Sequence, residues 1–358
     1  MRKFLPLLFF ILFYSCTAKL VKNNNEYNDL KSIVIKEPIY VEAKNNEIVS
    51  YDDETLFKKA EEALDNDDIQ KGLFYYYLLL EKFPESKFIP PTLYNIGAIF
   101  EEEKKYPEAE KFYRYLIKKY PLHYLTPRAI FRLVLVLEAE EKFSEALKYL
   151  EKLNRFSLSR EDRLKVIALK GILLSEMGRK REGEKYLMIA DREYGKLALQ
   201  KKKFDRYFWG WVRFQIAENV FTRYRDFHIT GNSRDEMKKQ LERKASLLLK
   251  ALRLYFLTLK TRSMHWATAA VYRMGLLYEL FYMELVQVKP PDTLTKEEKE
   301  VYYEELEKVL KPVKEKAIET YEKIIRYATA WGVKSEWLKK AKEHLEILKN
   351  FKIYQPEG

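Results

Sequence analysis

The side chains able to do chemistry in this chain are few and scattered. Cys16 is the only cysteine in 358 residues, so no intramolecular disulfide can form. The four histidines, His123, His228, His265 and His344, lie far apart. None has a second ligand at helical spacing, so no metal site is expected. Eleven glycines form no phosphate-cradling loop, and no serine stands in a nucleophile elbow. Acidic residues are numerous but read as solvated helix faces. The chemistry expected is therefore binding, not catalysis, with no cofactor. Its strongest candidate is the stretch from Lys196 to Arg262, where 17 Lys and Arg stand against six Asp and Glu, in a chain whose net charge is +12. Phe204, Tyr207, Phe208, Trp209, Trp211 and Phe214 interleave with those charges.

The elements that must position these residues follow a period. Gly72, Ala109, Ala146 and Gly183 are spaced 37 residues apart. Twelve residues before each stand Ala60, Gly97, Val134 and Gly171, and four residues after each stand Tyr76, Tyr113, Leu150 and Leu187. Within one period, Leu93, Ile96, Gly97 and Phe100 mark one face of a helix. A polar break follows at Glu102–Lys105, and then Ala109, Tyr113, Leu116 and Ile117 mark a second helix. Small residues fall where two helices must approach, with bulky ones beside them. Pro84 and Pro121 follow second helices, where proline ends a helix at no cost in interior hydrogen bonds. A lone hairpin of this kind cannot bury its apolar face, so the period predicts a stack.

This pattern resembles the tetratricopeptide repeat (TPR) family. Its bulky positions are matched by Leu93, Ile96, Phe100 and Tyr113, its small positions by Gly97 and Ala109, and its proline by Pro121. The resemblance is strong from 55 to 190 and implies an all-α, TPR-like α-solenoid. Four regular repeats of period 37 are expected over 55–195, and two irregular repeats with long insertions over 196–334. In the latter, Phe214, Ala217 and Val220 should face Ala245, Leu249 and Leu252. Val271, Met274, Gly275 and Tyr278 should face Ala317, Tyr321 and Ile324. Thr295 and Glu298 read as a capping box. A capping helix and tail are expected over 335–358, which makes about six hairpins and one cap.

The start of the chain reads as a leader. Arg2 and Lys3 precede an apolar run from Phe4 to Tyr14, which is too short for the roughly 20 residues that span a bilayer. With Ser15 and Cys16 next, it resembles a bacterial lipoprotein signal over 1–15, with Cys16 the lipidated first residue. A signal anchor is the other reading. Thr17 in place of aspartate implies, by the same resemblance, a periplasm-facing lipoprotein of the outer membrane. Residues 16–54 then read as the lipidated cysteine and a flexible tether. The apolar patches in it, Ile33–Ile35 and Ile39–Val41, would dock on the chain's own first repeat or add to a partner.

The TPR resemblance also implies a binding groove lined by first helices. It places Tyr94, Asn95, Arg128, Phe131, Arg132 and Lys165 there. Some family members hold a peptide's terminal carboxylate in this groove, and Asn95, Arg128 and Arg132 fall on three of the five positions used. Phe57 and Glu61 occupy the other two, and acidic Glu61 opposes that clamp. The alternative is a solvated groove with its own salt bridges. For the basic segment, one reading buries the aromatics as core and leaves the charges on a soluble face. The other makes Lys201, Lys202, Lys203 and Arg206 a surface for anions, including anionic lipid. The function expected is a lipid-anchored scaffold for envelope proteins in outer-membrane assembly or motility, without nucleic acid or metal. The first half resembles repeat lipoproteins of the β-barrel assembly machine and Tol–Pal coordinator repeats. The second half resembles those of gliding machineries. Lipid or glycan binding through 196–262 is the alternative function.

Overall fold

The computed structural model describes residues 40–44, 47–230, 233–287, 295–330 and 332–351. The leader, Cys16 and the tether as far as residue 39 lie outside the described residues. The chain divides into two compact units, 1–156 and 157–358. Among the described residues the fold is all-α apart from one short strand pair, and it is built of TPR-like hairpins.

The first unit opens with antiparallel strands β1 (Tyr40–Lys44) and β2 (Glu47–Tyr51), in register from Tyr40↔Tyr51 to Lys44↔Glu47. Three helical hairpins follow. They are α1 (Asp53–Asp65) with α2 (Ile69–Lys82), α3 (Ile89–Glu102) with α4 (Tyr106–Lys119), and α5 (Thr126–Ala139) with α6 (Phe143–Lys152). The second unit holds α7 (Arg160–Glu176) with α8 (Lys180–Leu199), α9 (Arg206–Arg225) with α10 (Arg234–Leu259), and α11 (Met264–Val286) with α12 (Lys296–Ala330). Helix α13 (Glu336–Asn350) closes it. Six hairpins and one terminal helix match the expected architecture.

Local sequence sets the helix ends. Asp52, Asp68, Ser159, Ser233 and Ser335 cap α1, α2, α7, α10 and α13 by accepting from backbone N–H groups of the first turn. Helices α3, α4 and α5 carry proline in their first turn, where no intrahelical donor is lost. Thr295 and Glu298 form the expected capping box: each side chain accepts from the other's backbone N–H, at 3.3 and 2.8 Å. The hairpin turns repeat as well. Asp67, Lys104, Glu141 and Gly178 all have positive φ, between 58° and 79°, again 37 residues apart. Each is followed by an N–H that reaches five residues back, as Lys105 does to the Phe100 carbonyl at 2.8 Å. That bond is the signature of a Schellman turn.

The core confirms the register read from the period. Ala60, Ile96, Ala109, Tyr113, Ala146, Leu169 and Leu187 are fully buried. At Gly97 a β-carbon would lie 2.7 Å from the Tyr113 ring, and at Gly275 one would lie 2.5 Å from the Tyr321 ring. The helices approach closely there because one partner has no side chain.

Two expectations are corrected. The tether does not run to 54: 40–44 and 47–51 pair as strands, and α1 begins at Asp53. Tyr51 is buried, its ring 6.4 Å from Tyr75 of α2, so this end of the expected tether docks on the chain's own first unit. In α10 the buried face is Leu248, Ala251, Leu252 and Tyr255, whereas Leu249 is 65% exposed. The small–bulky pair that packs on α9 is Ala251–Tyr255, six residues beyond the expected Ala245–Leu249, because α10 is 26 residues long and presents a later turn to α9. The helix start read at Thr295 opens α12, which runs 35 residues through the longer insertion.

Candidate interaction surfaces

Three of the tyrosines buried in second helices donate their hydroxyl hydrogen bond to a carboxylate. Tyr113 donates to Glu101 at 2.9 Å, and Tyr321 donates to Glu279 at 2.6 Å. Each glutamate lies four residues after the glycine that admits the ring. Tyr255 likewise donates to Glu218. Every one of these carboxylates then takes a basic side chain from a later helix. Arg132 of α5 lies 2.8 Å from Glu101, Arg273 of α11 binds Glu218 through two 2.9 Å bonds, and Nδ1 of His344 in α13 lies 2.9 Å from Glu279. Where the ring is replaced by Leu187, the carboxylate is replaced too, by Ser175, whose hydroxyl donates to the Gly171 carbonyl. The tyrosine–glutamate–cation chain therefore ties one hairpin to its successor. Burial raises the Glu101 carboxyl, with Arg132 and Tyr113 opposing. Burial also raises the Tyr113, Tyr255 and Tyr321 phenols, while the bond to Glu279 raises His344.

Two residues of the expected groove have partners inside the first unit. Arg132 is turned to Glu101, and Asn95 donates to the Tyr76 hydroxyl at 2.7 Å. Both are engaged in the first unit, which leaves Arg128 as the exposed basic member of the set there. Tyr94 packs its ring 5.9 Å from Tyr113 and, like Phe131, is partly buried. Lys165 lies in the second unit, between Glu161 at 3.5 Å and Asp205 at 3.4 Å, with its ammonium 5.3 Å from the Phe208 ring. Arg132 and Lys165 thus each stand in a salt bridge within their own unit.

A different concavity opens in the first unit, on the side of the second helices. Leu80, Pro84, Ile89, Leu93, Phe112 and Tyr115 line a cavity of about 330 Å³, with Lys111 and Lys119 among its walls. Phe74, Tyr77 and Tyr115 nearby are 41, 43 and 49% exposed, and the Tyr77 and Phe112 rings lie 6.2 Å apart. Sequence reasoning passed over these residues. Their signal was an aromatic second helix, Phe74 to Tyr77, with more rings than one buried face can take.

In the second unit the basic segment divides. Phe208, Trp209, Trp211 and Phe214 are buried, as the core reading expects. Of the 17 cations, Arg213 pairs with Asp191 at 2.6 Å, Lys196 with Glu193 at 2.7 Å, and buried Lys244 with Glu284 at 2.5 Å. Lys201, Lys202 and Arg206, however, join Lys260 and Arg262 around a cavity of about 470 Å³ backed by Phe204 and Trp209. Lys203 is exposed but does not line it. No group of three or more His, Cys, Asp or Glu that could hold a metal occurs among the described residues, and no described helix is long and apolar enough to cross a membrane.

No family model matches the sequence, and no curated protein matches it. Among solved structures, a tetratricopeptide repeat protein from Parabacteroides merdae is similar at 15% identity. The match covers 83% of this chain and 99% of that one, with a TM-score of 0.41. A TPR repeats protein from Bacteroides fragilis is similar at 14% identity over 73% of this chain and 97% of its own, with a TM-score of 0.30. The C-terminal part of a TPR repeat-containing protein from Cytophaga hutchinsonii is similar at 14% identity over 71% and 95%, with a TM-score of 0.30.

Proposed function

We propose that this chain is a lipid-anchored scaffold that holds partner proteins of the bacterial envelope, facing the periplasm from the outer membrane, and that it catalyses nothing. The observation that carries the binding role is the aromatic cavity of the first unit. Apolar walls from α2, α3 and α4 suit an apolar anchor residue from a partner segment, and Lys111 and Lys119 suit acidic neighbours of that anchor. Rings bury area at low entropic cost, lysine stems cover apolar surface while the ammonium stays in water, and the hairpins behind them are held by buried packing. The anchor rests on the leader and on Cys16, whose lipid would supply the membrane affinity.

Photo-crosslinking in cells tests the binding role. A crosslinker at Tyr115 should trap a defined envelope protein. One at Lys148, on the exposed face of α6, should not, and Lys111→Glu should abolish the Tyr115 product. Trapping at Arg128 and Phe131, with none at Tyr115, would move the site to the first-helix face. Cys16→Ala should release the chain from membranes and remove a lipid mass increment. Unchanged membrane association without such an increment would overturn the anchor.

A further inference from the structure

We propose that the end of the second unit formed by the α8–α9 and α10–α11 turns binds the phosphate of an anionic phospholipid headgroup. Lys201 and Lys202 come from the first turn, Lys260 and Arg262 from the second, and Arg206 from the start of α9. All five are exposed, and none takes part in an ion pair among the described residues. The Arg206 guanidinium donates to the Thr261 carbonyl at 3.2 Å, so it fixes one turn to the other. The two carboxylates at hand are already used. Asp191 accepts from Trp209 and Arg213, each at 2.6 Å, and Asp205 caps α9 and faces Lys165.

A plainer account is that these cations offset the negative ends of α8 and α10. That explains one or two cations at each helix end. It does not explain why five from three elements surround one cavity with no anion among them. Like charges held this close repel, and a bound phosphate relieves that repulsion. Arginine offers paired donors to phosphate oxygens, and lysine offers a compact charge. The cavity, about 470 Å³, admits a headgroup. Phe204 and Trp209, whose rings meet edge to face at 5.6 Å, give it an apolar back.

Exposed apolar side chains on the same segments favour a lipid over a soluble phosphate. Leu199, two residues before Lys201, is 86% exposed, and Met264, two residues after Arg262, is 43% exposed. Tyr207, next to Arg206, is 42% exposed. Apolar tips beside a basic cluster are what a bilayer interface takes up.

The test uses the full-length chain with Cys16→Ser, which removes the lipid, in flotation with vesicles of phosphatidylcholine alone or with added phosphatidic acid. Binding should require the acidic lipid and fall with salt. Lys202→Glu with Arg262→Glu should weaken it by more than tenfold, at about fivefold or more for each basic residue lost near such a surface. Lys238→Glu with Lys239→Glu makes the same charge change on exposed α10 positions and should alter binding less than threefold. Leu199→Ser with Met264→Ser should weaken vesicle binding while leaving the affinity for inorganic phosphate unchanged. Equal binding to both vesicles, or equal loss in the two charge-reversal pairs, would overturn the site. Phosphate binding without vesicle binding would overturn the lipid source. Displacement from vesicles by polyglutamate at concentrations where phosphate is inert would assign the surface to an acidic protein and overturn the proposal.

Discussion

A single methyl group at Gly97 tests the packing logic of the whole repeat. A β-carbon there would stand 2.7 Å from one Tyr113 ring carbon and 3.0 Å from two more, inside the 3.4–4 Å of ordinary contact. The ring has little freedom to retreat. Its hydroxyl is bonded to Glu101 at 2.9 Å, and the Tyr94 ring lies 5.9 Å away. Overpacking of this kind costs about 1–3 kcal/mol. Replacing glycine by alanine in a helix gains roughly 1 kcal/mol of propensity. Gly97→Ala should therefore be neutral to about 2 kcal/mol destabilising. Gly195→Ala, in α8 with nothing near its β-carbon, should stabilise by roughly 1 kcal/mol. Because the chain has two compact units, one global unfolding curve is a poor readout. Hydrogen exchange resolved to α3–α4 and to α8 reads each site locally. The chain also carries its own rescue. At the equivalent positions of α5 and α6 stand Val134 and Leu150, a β-carbon opposite leucine, both buried. Gly97→Ala combined with Tyr113→Leu should thus cost at least about 1 kcal/mol less than the sum of the two single changes. If Gly97→Ala protects α3–α4 as much as Gly195→Ala protects α8, the close approach does not set the register.

The other predictions concern the polar links. His344 is held above its usual 6.5 by the bond to Glu279, with Tyr272, Tyr321, Glu343 and Lys340 around it. A raised folded-state value means that the stability it adds to the docking of α13 is full below about pH 6.5 and is lost as pH rises through the folded value. Exchange of α13 amides, corrected for intrinsic rates, should therefore quicken above neutral pH, and His344→Gln should remove that dependence. Arg273→Met should destabilise the second unit by about 3 kcal/mol, because Glu218, only 18% exposed, loses its cation. Lys349→Met breaks the open pair with Glu322 and should cost under about 1 kcal/mol by calorimetry. Thr295→Ala removes one half of the α12 capping box and should cost about 1 kcal/mol, read as faster exchange in the first turn of α12.

The architecture was legible because the constraint behind it is local and repeated. A helix pair that packs through a small residue and a ring needs both at a fixed separation, so Gly97 and Tyr113 advertise each other across 16 residues. Hairpin turns need a left-handed residue at one place, and they keep it at one place in all four repeats, even though only Gly178 of the four is glycine. Helix α10 escaped this reading for a physical reason. Once a second helix is extended well past the contact, several turns offer a small–bulky pair. Ala245 with Leu249 and Ala251 with Tyr255 are equally good on paper. Only contact with α9 selects the second, and that choice rests on where α9 ends, not on the composition of α10.

The binding surfaces were less legible, because a charge does not announce what it faces. Arg132 sits where the TPR resemblance implies a ligand contact, yet it is drawn inward by Glu101, which in turn answers the Tyr113 hydroxyl. The three basic side chains that close such chains lie 31, 55 and 65 residues after their glutamates (Arg132 after Glu101, Arg273 after Glu218, His344 after Glu279), so no fixed spacing could reveal them. Two of the glutamates, Glu101 and Glu279, were readable, four residues after Gly97 and Gly275. A carboxylate placed beside a buried ring demands a counter-charge, and that demand removes the nearest basic residue from the surface. The same reasoning picks out the cations that remain available. Lys201, Lys202, Arg206, Lys260 and Arg262 stand at helix ends, and none of them takes part in an ion pair among the described residues. Lys203 belongs to the same run but does not line the cavity, whereas Lys260 and Arg262 join it from some 60 residues further on. Turn geometry, not the density of basic residues along the chain, decides which charges converge.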